Sequence, residues 1–324
     1  MSVIDWDAVY ADRIQPCLAV TGGGVSAPRW IFVCGQQGSG KSTLVRAVEA
    51  ELGPDCTQQI SGDALLALLP DLPSLDRDRH LTALAERLVQ HATRQRAHIL
   101  WELPTPGAIE GLALVARSLG YQVECLILSL PALDSWLATL RRSLATPGAQ
   151  VVPWANVQST ARRWPALIAR AEDAVLFDRL AVIDRQGQTC FANLRTPQGR
   201  WAETPFAFES LVIERARARP AAEIASLFAD WQGLRSDPAL DAFCSCREAV
   251  DSLVQRLAAD PGTSFDLNRP TASHPSAAAA WIARLRADLD DILAGPQAQG
   301  QTTLPARCDR LMALVQQVAG LPPS

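Results

Sequence analysis

The chain contains no apolar run approaching the roughly 18 residues of a membrane span. Its first residues, Met1-Ser2-Val3-Ile4-Asp5-Trp6-Asp7, carry neither the basic start nor the apolar core of a signal peptide. Both absences set the expectation of a cytoplasmic protein with no membrane partner. Positive charge is not in excess either: 30 Lys and Arg stand against 34 Asp and Glu, a formal net charge of -4. No overall field recruits nucleic acid, so the expected partner is a small molecule. The 8 cysteines are scattered rather than spaced as a disulfide framework. Cys34 and Cys125 lie in apolar runs, and Cys244-Ser245-Cys246 has no second pair or nearby His to complete a zinc site. No internal repeat is visible.

What is present is length and alternation. At 324 residues the chain exceeds one average domain and implies two units. Short apolar runs at Trp30–Cys34, Cys56–Ile60, His98–Glu102, Tyr121–Leu128 and Arg179–Asp184 alternate with helical stripes. Those stripes run through Leu44, Val45, Val48 and Leu52, then Leu81, Leu84, Leu88 and Ala92, then Leu133, Trp136, Leu137, Leu140 and Leu144. The pattern predicts an α/β, doubly wound and mostly parallel sheet. Thr189–Asn193, after Gln186-Gly187-Gln188, is expected to close an antiparallel edge hairpin. Beyond about Phe206 the strand signal stops. Stripes at Ile224, Leu227, Phe228, Trp231 and at Trp281, Leu285, Leu289, Ile292 predict an all-helical extension, punctuated by loops at Asp260-Pro261-Gly262-Thr263 and Gly295–Gly300. The expected division is therefore residues 1–205 and 206–324.

Gly35-Gln36-Gln37-Gly38-Ser39-Gly40-Lys41-Ser42 fits G-x-x-x-x-G-K-[ST] between an apolar strand and an amphipathic helix. That context makes the segment a phosphate-binding loop and the sheet one of the P-loop NTPase type. Gly38 and Gly40 let backbone N–H groups face an anion. Lys41 is expected at the β and γ phosphates of ATP, and Ser42 as a ligand of Mg2+. No Asn-Lys-x-Asp guanine contact is found, and the third core strand ends in Glu102 rather than Asp. Both features favour a small-molecule kinase over a GTPase or an ATP-driven machine.

Phosphoryl transfer needs a carboxylate near the acceptor hydroxyl and cations over the moving phosphate. Asp63, past the carboxyl end of the second strand, is placed to take the proton, or equally to cap a helix over Ala64–Leu69. Glu102 projects over the same sheet edge, unless it is a turn residue before Pro104. Glu86 lies off its helix's apolar stripe and reads as a solvated face. Arg142 points to solvent or to a cleft, and Arg162 and Arg163 sit on a later helix where an arginine-bearing lid is one reading.

At these residues the sequence resembles the zeta toxin family, P-loop kinases of bacterial toxin-antitoxin systems that phosphorylate the 3′-hydroxyl of UDP-N-acetylglucosamine. The resemblance rests on Gly35 to Thr43, on Ile60-Ser61-Gly62-Asp63-Ala64-Leu65 with Leu69-Pro70, and on Glu86 standing sixteen residues before Glu102. It continues through Gly120–Glu124 to Leu140-Arg141-Arg142 and ends near Asp184-Arg185-Gln186-Gly187, about two hundred residues in all. It implies that Asp63 is the base, Glu86 and Glu102 bind the sugar, Arg142 clamps phosphate, and an antitoxin protein is a partner. Departures fall on the acceptor side: Leu103-Pro104 follows Glu102 where the family has Gly-Thr, Leu66 stands where arginine is common, and Gln150 precedes Val151-Val152-Pro153 where a second clamping arginine is expected. Arg141, Arg162 or Arg163 is then the substitute cation, or the reaction is redirected to another hydroxyl such as a nucleoside or an antibiotic. The remaining alternative is an ATP-binding regulatory module.

Overall fold

The computed structural model describes residues 24–69, 74–145, 152–217, 221–236, 251 and 275–318. Six strands form one sheet in the order β2-β3-β1-β4-β5-β6. They are β1 (Arg29–Cys34), β2 (Thr57–Ile60), β3 (His98–Leu103), β4 (Gln122–Leu128), β5 (Arg179–Ile183) and β6 (Thr189–Leu194). All neighbours are parallel except β5 and β6, which form the expected antiparallel hairpin. From β1 the chain passes over β3 to β2, returns to β3, then jumps across β1 to β4. The winding reverses at β1, which opens a ligand crevice beyond its carboxyl end.

Alternate residues of β1 serve opposite faces, as a strand's period of two requires. Ile31 and Val33 pack beneath helix α1 (Lys41–Leu52), with Val45 and Val48. Trp30, Phe32 and Cys34 face a larger core on the other side. To that core come α2 (Gly62–Leu68), α3 (Ser74–Gln95), α4 (Ile109–Ser118) and α6 (Trp154–Asp173), while α5 (Ala132–Ala145) follows β4. The α6 helix runs through Pro165 without ending.

The chain after residue 206 forms α7 (Ala207–Ala216), α8 (Ala221–Arg235), α9 (Pro275–Leu293) and α10 (Leu304–Val318). Packing is continuous across this point: Phe208, Leu211, Leu285, Leu289, Leu311 and Val315 belong to the same cluster as Trp30 and Phe32. Leu227 and Trp231 of α8 instead cover Trp136 and Leu140 of α5. The buried Ile224, Leu227, Trp231 and Leu285, Leu289, Ile292 follow the expected stripes. The side chain of Trp281, the loop at Asp260–Thr263 and the Cys244–Cys246 pair lie outside the described residues. Cys34 and Cys125 are free and buried on adjacent strands, with sulfurs 3.8 Å apart. No helix among the described residues is long and apolar enough to cross a membrane, and no His, Cys, Asp and Glu among them cluster as a metal site.

Candidate active site

The loop after β1 bends back through three glycines of positive φ, Gly35, Gly38 and Gly40. Gly38 is required twice over: its φ is +79°, and a Cβ there would lie 2.0 Å from the carbonyl oxygen of Ser135 on α5. At Gly40 the space is open and only its φ of +93° demands glycine. No side chain caps the α1 N-terminus that begins at Lys41, so its first N–H groups are left for an anion. The Ser39 hydroxyl and the Gln37 side-chain oxygen are buried without hydrogen-bond partners among the described residues. A polyphosphate fits this cradle, since a buried polar group that nothing satisfies is costly in a site built only for stability.

Lys41 is buried and its Nζ donates to the carbonyl oxygens of Gly35 and Gln36, each at 3.0 Å. Burial lowers its pKa to about 8, while the charges of Glu102, Cys34 and Asp63 pull the other way. Ser42 Oγ donates to Glu102 Oε2 at 3.2 Å, which leaves the hydroxyl's lone pairs free to meet a cation; the residues fit Mg2+ at this point. Burial also raises the Glu102 carboxyl, opposed by Lys41 and by the Ser42 hydrogen bond. Across the crevice, Arg142 Nη1 donates to Asp63 Oδ2 at 3.3 Å, and both side chains are open to solvent.

The fold thus gathers Lys41, Ser42, Asp63, Glu102 and Arg142, which come from the ends of β1, β2 and β3 and from α5. Helix α2 begins two residues earlier than the expected cap at Asp63 implies: Ser61 holds the N-cap position without a side-chain bond, and Asp63 lies inside the first turn with its carboxylate turned to Arg142. Glu102 is a half-buried strand residue, since β3 continues through Leu103. Glu86 lies on the exposed face of α3 and makes no hydrogen bond or ion pair among the described residues. Arg141 pairs with Asp230 of α8, and Arg162 with Asp291 of α9 at 2.8 Å. Gln150 lies outside the described residues.

The pattern of the zeta toxin family matches residues 20–196, more than half of the chain. The chain belongs to the zeta toxin family. The match covers every site residue named above, from Gly35 to Arg142, and ends just past β6. No curated protein matches. Among solved structures, this family member resembles one from the PezAT chromosomal toxin-antitoxin system of Streptococcus pneumoniae, with TM-score 0.57, 17% identity, and coverage of 73% of this chain and 100% of that one. That likeness shows a shared fold. It also resembles, more distantly, structures of the AvrRxo1-ORF1:AvrRxo1-ORF2 complex with sulphate ions and of the AvrRxo1-ORF1:-ORF2 complex with ATP. Their TM-scores are 0.44 and 0.43 at 17% and 15% identity, each covering 78% of this chain and 86% of the other.

Two site groups had no motif to announce them. Ser135, fully buried in the first turn of α5, accepts a hydrogen bond from Gln36 Nε2 at 2.8 Å. Arg215 of α7 donates to Gln36 Oε1 at 3.2 Å from 179 residues away. The available signal was compositional: α7 buries residues on every side yet carries Glu209, Glu214 and Arg215, and a charge on such a helix has to meet a partner inside the protein.

Proposed function

We propose that this zeta toxin family member is an ATP-dependent kinase acting on the hydroxyl of a small molecule, with the 3′-hydroxyl of UDP-N-acetylglucosamine or a related nucleotide sugar as acceptor. The observation that carries the reading is the convergence of a phosphate cradle, Lys41, Ser42, Glu102, Asp63 and Arg142 on one crevice. Phosphoryl transfer asks a protein mainly to position groups and neutralise charge. Gly35 to Thr43 would hold the triphosphate, with Lys41 leaving its two loop carbonyls for the β and γ oxygens. Ser42 would be the magnesium ligand, with Glu102 fixing the hydroxyl's orientation. When bound, magnesium supplies charge neutralisation across the β and γ phosphates.

The acceptor oxygen forms a bond to the γ phosphorus as the bond from that phosphorus to the β–γ bridging oxygen breaks. Asp63 takes the hydroxyl proton, ADP leaves, and Arg142, which touches Asp63, offsets charge on the transferred group. Glu86 and Glu102 are assigned to the acceptor, Glu86 through the family pattern alone. The wider reading is a toxin of the bacterial cytoplasm with an antitoxin protein as partner, its kinase unit in residues 1–205 and its helical extension in residues 206–324.

Leu66, exposed on α2 beside Asp63, favours a second reading in which the acceptor is another hydroxyl compound such as a nucleoside or antibiotic. The test is incubation of the purified chain with ATP, magnesium and a panel of UDP-sugars, nucleosides and aminoglycosides, read by mass spectrometry. Gain of one phosphate by UDP-N-acetylglucosamine supports the first acceptor, and gain by another compound supports the second. ATP binding with no transfer to any of them would leave a nucleotide-binding regulatory module.

A further inference from the structure

The loop that holds the phosphates is not held by the P-loop kinase strands alone. Gln36 is fully buried, and its amide makes three contacts outside its own loop. Nε2 donates to the Leu130 carbonyl at 2.6 Å and to Ser135 Oγ at 2.8 Å, and Oε1 accepts from Arg215 Nη2 at 3.2 Å. The chemistry of the partners fixes which way the amide points: a carbonyl can only accept and a guanidinium can only donate, so the opposite flip breaks two contacts. The backbone oxygen of the same Gln36 is one of the two that receive Lys41 Nζ. A continuous path of contacts therefore runs from α7, through Gln36, to the lysine that meets the triphosphate.

Arg215 is unlike the other arginines that tie the C-terminal helices down. Arg162, Arg185 and Arg307 each contact a carboxylate across that junction. Arg215 instead bonds two neutral oxygens, Gln36 Oε1 and the Ala161 carbonyl at 2.5 Å, while its Nε is buried without a hydrogen-bond partner among the described residues. Burial lowers its pKa to about 10, with Asp288 the charge that opposes the shift. A half-buried guanidinium whose Nε has no partner and which no carboxylate contacts is costly for stability alone. Its field is left to act on what the neighbouring loop binds.

Resting on the kinase reading above, we propose that Arg215 is a positioning residue for the nucleotide. By fixing the Gln36 amide it holds the phosphate loop in its binding shape, and by its charge, which no carboxylate contacts, it favours the bound polyphosphate. The C-terminal helices are thereby part of the nucleotide site rather than padding behind it. This also places a second cation behind the loop in a chain whose Gln150 is neutral.

The experiment is calorimetric titration of the full-length chain with MgATP, in parallel with thermal melting and hydrogen exchange of the amides of residues 35–40. The variants are Arg215→Met, Arg215→Lys, Gln36→Leu, the Gln36→Leu/Arg215→Met double variant, and Arg185→Met as a control for loss of an ordinary junction pair. Arg215→Met should weaken MgATP about tenfold, the scale of one charge-assisted contact. Arg215→Lys, which keeps the charge but not the fork, should lose about threefold and exchange its loop amides faster. In the Gln36→Leu background the Arg215→Met loss should shrink, because the two act through one path. Arg185→Met should bind as the parent does. Folded Arg215→Met with parental affinity overturns the proposal, as does full additivity of the two losses. Should Arg215→Met not fold, Arg215→Lys with parental affinity and exchange overturns it. A parent chain that binds no MgATP sinks the kinase reading together with this one, whereas a binding parent with an indifferent Arg215 sinks this one alone.

Discussion

Two arginine–carboxylate groups in this chain are built in opposite ways. Arg307 of α10 is 4% exposed and lies between Glu172 and Glu209, with Nη2 at 2.7 Å and 2.5 Å from their oxygens and Nε at 2.9 Å from Glu209. Its guanidinium also lies over the Phe208 ring at 5.1 Å. The Glu172 carboxylate in turn accepts the backbone N–H groups of Ala207 and Phe208, capping α7 from another helix. Every charge is paired and hydrogen-bonded, which is what burial demands. Arg142 and Asp63, by contrast, are 49% and 79% exposed and share one contact of 3.3 Å. In water such a contact adds little stability, so its value lies in where it holds the two groups. The first arrangement joins elements; the second presents them.

The comparison breaks most visibly by deleting the presented groups. Asp63→Asn should cut phosphate transfer by about 10²–10⁴-fold, the usual worth of a general base, while changing stability by no more than about 1 kcal/mol. Lys41→Ala should abolish transfer. Paired kinetics and melting would check both, and an Asp63→Asn enzyme of undiminished rate would remove Asp63 from the base role.

Arg307→Met should do the reverse. Stranding two buried carboxylates costs about 3–5 kcal/mol, to be read by urea denaturation. Its pH dependence has a definite sign. Burial raises the Glu172 carboxyl above its ordinary value, with Arg307 opposing that rise, so its contribution to stability is largest in acid and is lost as pH climbs through the raised pKa. Without Arg307 the carboxyl rises further. The stability gap between variant and parent should therefore narrow as pH falls from neutral toward the ordinary Glu range. A gap that widens in acid would show that the carboxylates are not what the arginine satisfies.

Between these extremes stands Gly38→Ala. A Cβ 2.0 Å from the Ser135 backbone oxygen forces the loop away from α5, where something on the main chain has to move. Overpacking of this kind costs about 1–3 kcal/mol, and MgATP binding should fall with it. Gly40→Ala meets open space, so only the cost of its positive φ, about 1–2 kcal/mol, should appear. Equal losses at the two glycines would mean that the contact with α5 does not shape the loop.

The sequence made the presented half of this comparison legible and left the joined half dark. Gly35 to Ser42 declares itself because phosphate binding needs special residues at fixed local spacing, and Trp30–Cys34 and Arg179–Asp184 read as strands because period and burial are local too. Asp63 and Glu102 followed from their places at strand ends. Arg307 has no such neighbourhood signal: its partners lie 98 and 135 residues away, and a helical arginine reads as exposed until the fold is known. The same holds for Arg215, at 179 residues from Gln36. Long-range polar pairs are set by packing angles that no short window of sequence encodes.

The smallest effect concerns the cation that the family pattern expects and that Gln150 cannot provide. Arg162 is half exposed and contacts Asp291 of α9 at 2.8 Å, the profile of a surface pair. Arg162→Met should lower stability by less than about 1 kcal/mol and leave transfer within about twofold of the parent, checked by melting and initial rates. A fall of tenfold or more in kcat with MgATP affinity kept would mean that the Asp291 contact yields in the transition state. Arg162 would then move from the joined class to the presented one. The Asp291→Asn variant separates these cases, since releasing a working clamp should preserve or raise the rate, whereas loosening a mere tie should change only the melting temperature.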